Sequence, residues 1–118
     1  MKSIVIAALM SLAAAPVFAQ ANTSVVGQVG LGNVQGTFQN GSFNVSGTGQ
    51  AGIANLSITD QDGVANLSGT AQVGALNSSS TQQIGALNAA GTIQSGLAHN
   101  STTTQVGAGN VSLPSQSD

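Results

Sequence analysis

The chain has 118 residues, 16 of them Gly and none Cys, Trp or Tyr, and its ionisable side chains are one Lys, three Asp and a single His. Without Cys there is no disulfide frame, thiolate zinc site or redox dithiol, and one His with three Asp is too little for a general acid–base pair or a metal cage. A lone cation gives no electrostatic grip on nucleic acid, so the composition points away from an enzyme, a cofactor carrier and a nucleic-acid binder, and no small-molecule substrate is expected.

In chain order, the first element is a secretory signal. Met1-Lys2-Ser3 is a short basic start, Ile4 to Ala15 is an apolar run, and Val17-Phe18-Ala19 has the small-x-small pattern of a cleavage site. Residues 1–19 are therefore expected to be removed, leaving a chain with three negative charges and no Lys or Arg. Much of the 41% hydrophobic content lies in the signal. The mature chain cannot fill a conventional globular core, and it is too weakly charged for the usual disordered class.

Residues 20–27 form a lead-in, residues 28–115 a tandem repeat, and residues 116–118 a tail. The repeat is Gln-x-Gly-x-x-Asn, beginning at Gln28, Gln39, Gln50, Gln61, Gln72, Gln83, Gln94 and Gln105, always 11 residues apart. Its glycines are Gly30, Gly41, Gly52, Gly63, Gly74, Gly85, Gly96 and Gly107. Its asparagines are Asn33, Asn44, Asn55, Asn66, Asn77, Asn88 and Asn110, with His99 in the remaining slot. Internal repetition of this kind is read before any secondary structure.

An 11-residue period also suits a right-handed helical coil, but Gly, Asn, Ser and Thr in every unit argue against helix. The segments from Asn to the next Gln read as strands of about seven residues. The Gln-x-Gly-x-x-Asn stretch reads as a turn, with Gly supplying positive φ or room for a tight arc. Two units then make one coil. The expected fold is an all-β, cross-β solenoid of eight 11-residue strand–turn units, two per coil, in four coils with two facing parallel sheets.

The Asn, Ser, Thr and Gln parity barely varies between units, whereas the other ranges from Phe to Gly to Asp. The invariant parity is assigned to the interior, as amide and hydroxyl ladders along the stack. The apolar pairs before each Asn, such as Ile53-Ala54, Ala75-Leu76 and Ala86-Leu87, are expected to pack at the arcs.

Gln-x-Gly-x-x-Asn followed six residues later by another Gln, in tandem behind a secretory signal, resembles the curlin repeat of bacterial curli fibres. The resemblance spans residues 22–116. It implies an extracellular amyloid-like fibre of self-assembling subunits, export of the unfolded chain through an outer-membrane channel, a nucleator subunit as partner, and roles in adhesion and biofilm matrix. On that pattern the eight Gln and seven Asn of the motif are the ladder residues. Unlike the familiar curlin strand, this one carries mostly Ser and Thr between Asn and Gln.

Other motifs carry blander readings. Asn-x-Ser/Thr recurs because a repeat Asn precedes a repeat Ser by two, rather than as a set of glycosylation sites. His99 is a substitute for Asn. Asp60 and Asp62 flank Gln61 too sparsely for a calcium site and are candidate gatekeepers, charges that slow uncontrolled pairing of a β-prone segment. Two other functional classes stay open: an ice-binding solenoid, whose in-register Thr37, Thr48, Thr59, Thr70, Thr81, Thr92 and Thr103 would have to face outward, and a disordered secreted Gly/Asn/Gln-rich polymer.

Overall fold

A computed structural model describes residues 21–118; the proposed signal segment 1–19 lies outside the described residues. Every unit folds as a nine-residue strand and a two-residue corner. The strands are β1 (Thr23–Leu31), β2 (Val34–Ser42), β3 (Val45–Ile53), β4 (Leu56–Val64), β5 (Leu67–Ala75), β6 (Ser78–Ala86), β7 (Ala89–Leu97) and β8 (Asn100–Ala108). Two short strands come last, β9 (Val111–Ser112) and β10 (Ser115–Ser117). Sheet A runs β1-β3-β5-β7, continued by β9 and β10 on β7, and sheet B runs β2-β4-β6-β8. All pairings are parallel and join residues 22 apart, as in Gln28↔Gln50, Gln39↔Gln61 and Thr48↔Thr70. The chain is thus a β-solenoid, with alternate units in alternate sheets.

The interior is polar. Asn44, Ser46, Thr48 and Gln50 on one coil, and their equivalents as far as Gln94, are all buried, while Ala90 is the one buried hydrophobic residue among those described. Large apolar side chains such as Ile53, Leu67, Val73 and Leu97 lie outside. The invariant parity therefore faces inward. The reason is geometric: a parallel stack brings each residue onto its counterpart 22 positions away, so an interior slot must suit like residues in every coil.

Three local features differ from the sequence reading. First, the strand does not stop at Gln but continues through Gly and one residue beyond, so the turn shrinks to the two residues ending in Asn. Gly41, Gly52 and Gly63 have φ of 104–132° yet sit inside strands, where they bend the chain toward the corner. Second, the left-handed residue of each corner is the one before Asn, and it is mostly not glycine: Phe43, Ala54, Ala65, Leu76, Leu87 and Ala98 have φ of 55–60°. That conformation costs an L-residue about 1 kcal/mol. It is held by the corner's backbone bonds to the previous coil, such as Ala54 N–H to Leu31 O at 2.8 Å and Leu76 N–H to Ile53 O at 3.0 Å. Third, the apolar pairs expected to pack at the arcs point into solvent, with Ile53, Leu76 and Leu87 all more than half exposed. The interior has no space for them because amides fill it.

The strand bend explains why Gly is obligatory in the motif. A Cβ on Gly52 would overlap the carbonyl oxygen of Gly74, and one on Gly63 that of Gly85. Gly69 has no such neighbour: it faces outward, and a Cβ there would meet nothing within 4 Å. Gly63→Ala should therefore lower stability by about 3 kcal/mol or more, through backbone strain and collision with the next coil. Gly69→Ala should shift it by less than about 1 kcal/mol. Urea titration followed by far-UV circular dichroism distinguishes the two, and equal effects would contradict the assigned bend.

Candidate assembly interface

The side chains that hold the coils together also define the ends of the stack. Each Gln donates from Nε2 to Oε1 of the Gln one coil further on. In sheet A the ladder is Gln28→Gln50→Gln72→Gln94→Gln116, and in sheet B Gln39→Gln61→Gln83→Gln105, with distances of 2.6–2.8 Å. The second Nε2 proton goes across the body to a backbone carbonyl at the start of the facing strand. Gln50 reaches Val34 O, Gln72 reaches Leu56 O and Gln105 reaches Ala89 O, at 2.9–3.1 Å. One amide thus bonds along the stack and across it, and interior members use both donors and the acceptor.

Asn closes the corners in the same manner. Oδ1 of Asn44 accepts the backbone N–H of Asn66 at 3.0 Å, and the series Asn33–Asn55–Asn77 and Asn66–Asn88–Asn110 repeats this at 3.1–3.2 Å. Nδ2 donates to the carbonyl of the glycine 19 residues on: Asn44 to Gly63 and Asn55 to Gly74, at 3.1 and 3.2 Å. Likewise Asn33, Asn66, Asn77 and Asn88 reach Gly52, Gly85, Gly96 and Gly107. The motif is therefore one hydrogen-bonded unit. Positive φ turns the Gly carbonyl, and the Asn of the preceding coil receives it.

The hydroxyls do not form the expected ladders. Ser46, Thr48, Ser57, Thr59, Ser68, Thr70, Ser79, Thr81 and Thr92 have buried hydroxyl oxygens with no hydrogen-bond partner. An amide carries donor and acceptor on different atoms, and its width plus one hydrogen bond spans the strand spacing of about 4.8 Å. A hydroxyl repeats one atom at that spacing, beyond bonding range. Ser and Thr fill the column between the amides without linking it.

The two ends differ. At the first coil β1 and β2 are the outermost strands of their sheets, and every residue of β1 is exposed, Gln28 included. At the other end β8 is a complete nine-residue edge, but β7 is covered by β9 and β10, separated by Leu113-Pro114. Pro114 stands where the other units have Thr and has no N–H to donate, which splits the strand. The tail beyond it is tied down: Gln116 continues both the ladder and the cross-body bond to Asn100 O, and Asp118 Oδ1 lies 2.9 Å from His99 Nε2 and 3.3 Å from Leu97 N. His99 also reaches the carbonyl four residues back, as Asn44 Nδ2 reaches Asn40 O at 2.9 Å, with Nε2 at 3.1 Å from Ser95 O. The hydrogen bond from His99, helped by that from Leu97, holds the Asp118 carboxyl below its ordinary value against a smaller effect of burial. A depressed carboxylate pKa contributes stability that is present above the unfolded value and lost as pH falls through the folded one. The contribution of Asp118 to the tail contact is therefore lost as pH falls through its lowered folded value.

Asp60 and Asp62 project from the outer face of β4 on either side of buried Gln61, and Asp62 accepts a 3.1 Å bond from Asn40 Nδ2. The in-register threonines point inward, with Thr48, Thr59, Thr70, Thr81, Thr92 and Thr103 all buried. Comparison with known proteins returns no matching family model, no matching curated protein and no matching solved structure.

Thr70 and Gln72 test the division between filler and link. Thr70→Val removes an unpartnered buried hydroxyl at constant shape and should raise stability by about 1 kcal/mol. Gln72→Leu cuts the ladder on both sides and leaves amide groups unpaired, and should lower stability by about 3 kcal/mol. Denaturant midpoints of the two variants give the answer, and a loss on Thr70→Val would show that the hydroxyl is bonded after all.

Proposed function

We propose that this chain is the structural subunit of an extracellular fibre, built by head-to-tail stacking of solenoids in the manner of the curlin repeats it resembles. The observation that carries the reading is the one-way Gln ladder. Because every Gln donates toward the later coil, the first members, Gln28 and Gln39, offer an acceptor oxygen outward, and the last, Gln105 and Gln116, offer an amide N–H. One end of a subunit is therefore the chemical complement of the other, and the β1, β2 and β8 edges add rows of backbone donors and acceptors. Solenoids that stay monomeric cover such edges with a cap.

On this reading the partners are further copies of the chain, a nucleator subunit that presents a first template, and an outer-membrane channel that passes the unfolded chain after removal of residues 1–19. The site of action is the bacterial cell surface, in adhesion and matrix. Asp60 and Asp62 serve as gatekeepers on the outer face of sheet B. The inward Thr columns withdraw support from an ice-binding surface, which needs them outside.

Growth kinetics test the proposal. The purified chain lacking residues 1–19 should polymerise after a lag that preformed seeds abolish. Gln28→Lys places a charge on the open β1 edge and should slow seeded elongation by about ten-fold, since the incoming ladder bond is lost and a charge is desolvated. Gln116→Lys, on the edge already interrupted by Pro114, should slow it by no more than about two- to three-fold. A chain that stays a soluble monomer, or a random coil, in the presence of seeds would refute the fibre reading.

A further inference from the structure

The two sheets have different outer faces. On sheet A, the outward residues of β1, β3, β5 and β7 are Val, Leu, Ile, Ala and Gly, with Thr23 and Ser95 as the only polar ones. Val25, Val29, Val45, Leu67, Val73 and Ile93 are all exposed there. On sheet B, half of the corresponding positions are polar, Ser78, Ser80, Gln82, Asn100 and Thr102 among them, and the face carries both Asp60 and Asp62. The repeat does not require this asymmetry. Both sheets share the same interior pattern, apart from Val26 and Ala90 in sheet A and Gln35 in sheet B, and outward positions are free to vary, yet apolar residues are concentrated on one side.

From this difference we infer that the outer face of sheet A is a lateral interface, on which a second filament of the same chain packs through its own sheet A. The inference rests on the proposed fibre function. Charge selects the occupant and the face. The described chain carries acidic residues and no Lys or Arg, so two copies meeting through sheet B would bury Asp60 and Asp62 of each copy in one interface with no cation to pair them. Meeting through sheet A brings no charged residue of the four long strands together.

The faces also fit. A two-fold axis along the stack sets Gly47 and Gly69 of one filament, both with open space above them, opposite Ala51 and Val73 of the other, so small residues receive larger ones. The chain supplies an example of such a fit: Leu113 lies over Gly91, close enough that a Cβ on Gly91 would be 3.0 Å from its Cδ2.

Area then decides when pairing happens. Four strands of nine residues present roughly 30 by 19 Å, about 600 Å². A stable interface needs about 800 Å² per partner. One subunit falls short, so a stable pairing needs the sheet A faces of several subunits along each filament. Pairing therefore follows elongation, and free monomers do not dimerise.

Mass per length of mature fibres by dark-field electron microscopy tests this, with Gly69→Lys against Ser80→Lys. Both positions are on the outside at equivalent places in the repeat, and Gly69 has open space for a side chain. Wild type and Ser80→Lys should give about twice the mass per length of Gly69→Lys, with seeded elongation the same in all three. Fibres of single mass in wild type, or double mass surviving Gly69→Lys, would overturn the inference while leaving the fibre reading in place. Single fibres that co-sediment with phosphatidylcholine vesicles through this face would assign it to a lipid surface instead. No fibre growth by wild type would remove the fibre reading and the inference with it.

Discussion

Stacked strands stand about 4.8 Å apart, and that spacing decides which side chains can bond to their own copies. Primary amides can, and they appear at the buried, repeated positions of the motif, Gln61 and Asn66 for example. The remainder of the architecture depends on keeping those amides in line. Like residues must recur every 22 positions, so insertions are excluded throughout the repeat. The chain must bend before each corner so that the Gly carbonyl meets the Asn of the previous coil, as Gly63 meets Asn44. The corner must then close in two residues, which forces left-handed backbone on Leu76, Leu87 and their equivalents.

A core of this type differs from an oily one in what it implies for assembly. Apolar burial is satisfied once water is excluded, whereas a directional ladder is satisfied only by a following member. The stack therefore ends in unpaired ladder groups, acceptors at Gln28 and Gln39 and donors at Gln105 and Gln116, and the proposed stacking of copies rests on these. The same logic leaves the outer faces without a structural task, so their composition is free to serve contacts. Sheet A and sheet B have used that freedom differently.

Much of this architecture was legible in the sequence, because the period is strict. The eight Gln and the parity contrast between Ser46 or Thr48 and Val45 or Gly47 gave the two-sheet coil, the 22-residue register and the polar interior. Other features were hidden for physical reasons. The strand runs past Gln because an isolated glycine with positive φ can bend a strand without ending it, so Gly52 reads as a turn while sitting in a ladder. The left-handed corner fell on Ala and Leu, residues that carry no local signal for it, because inter-coil backbone bonds impose it. Ser and Thr look like ladder members by their regularity, and only the size of a hydroxyl against the strand spacing shows that they are not. The strand of the last unit breaks at Pro114, which the sequence displays openly. The tie between Asp118 and His99, which lie on separate strands' ends, depends on the register and becomes visible only once the coil is built.

The 22-residue register is the premise of every ladder in the molecule, and spin labelling measures it directly. The chain has no Cys, so nitroxides can be placed by Cys substitution at outward positions in pairs. Labels at Gly47 and Gly69, one coil apart on sheet A, should lie within about 5–10 Å and broaden or exchange-narrow the spectrum. Labels at Gly69 and Ser80, half a coil apart on opposite faces, should stay more than about 15 Å apart, given the two sheets between them. Strong coupling in the Gly69–Ser80 pair, at least as close as the Gly47–Gly69 pair, would mean that units stack 11 residues apart, and would contradict the account.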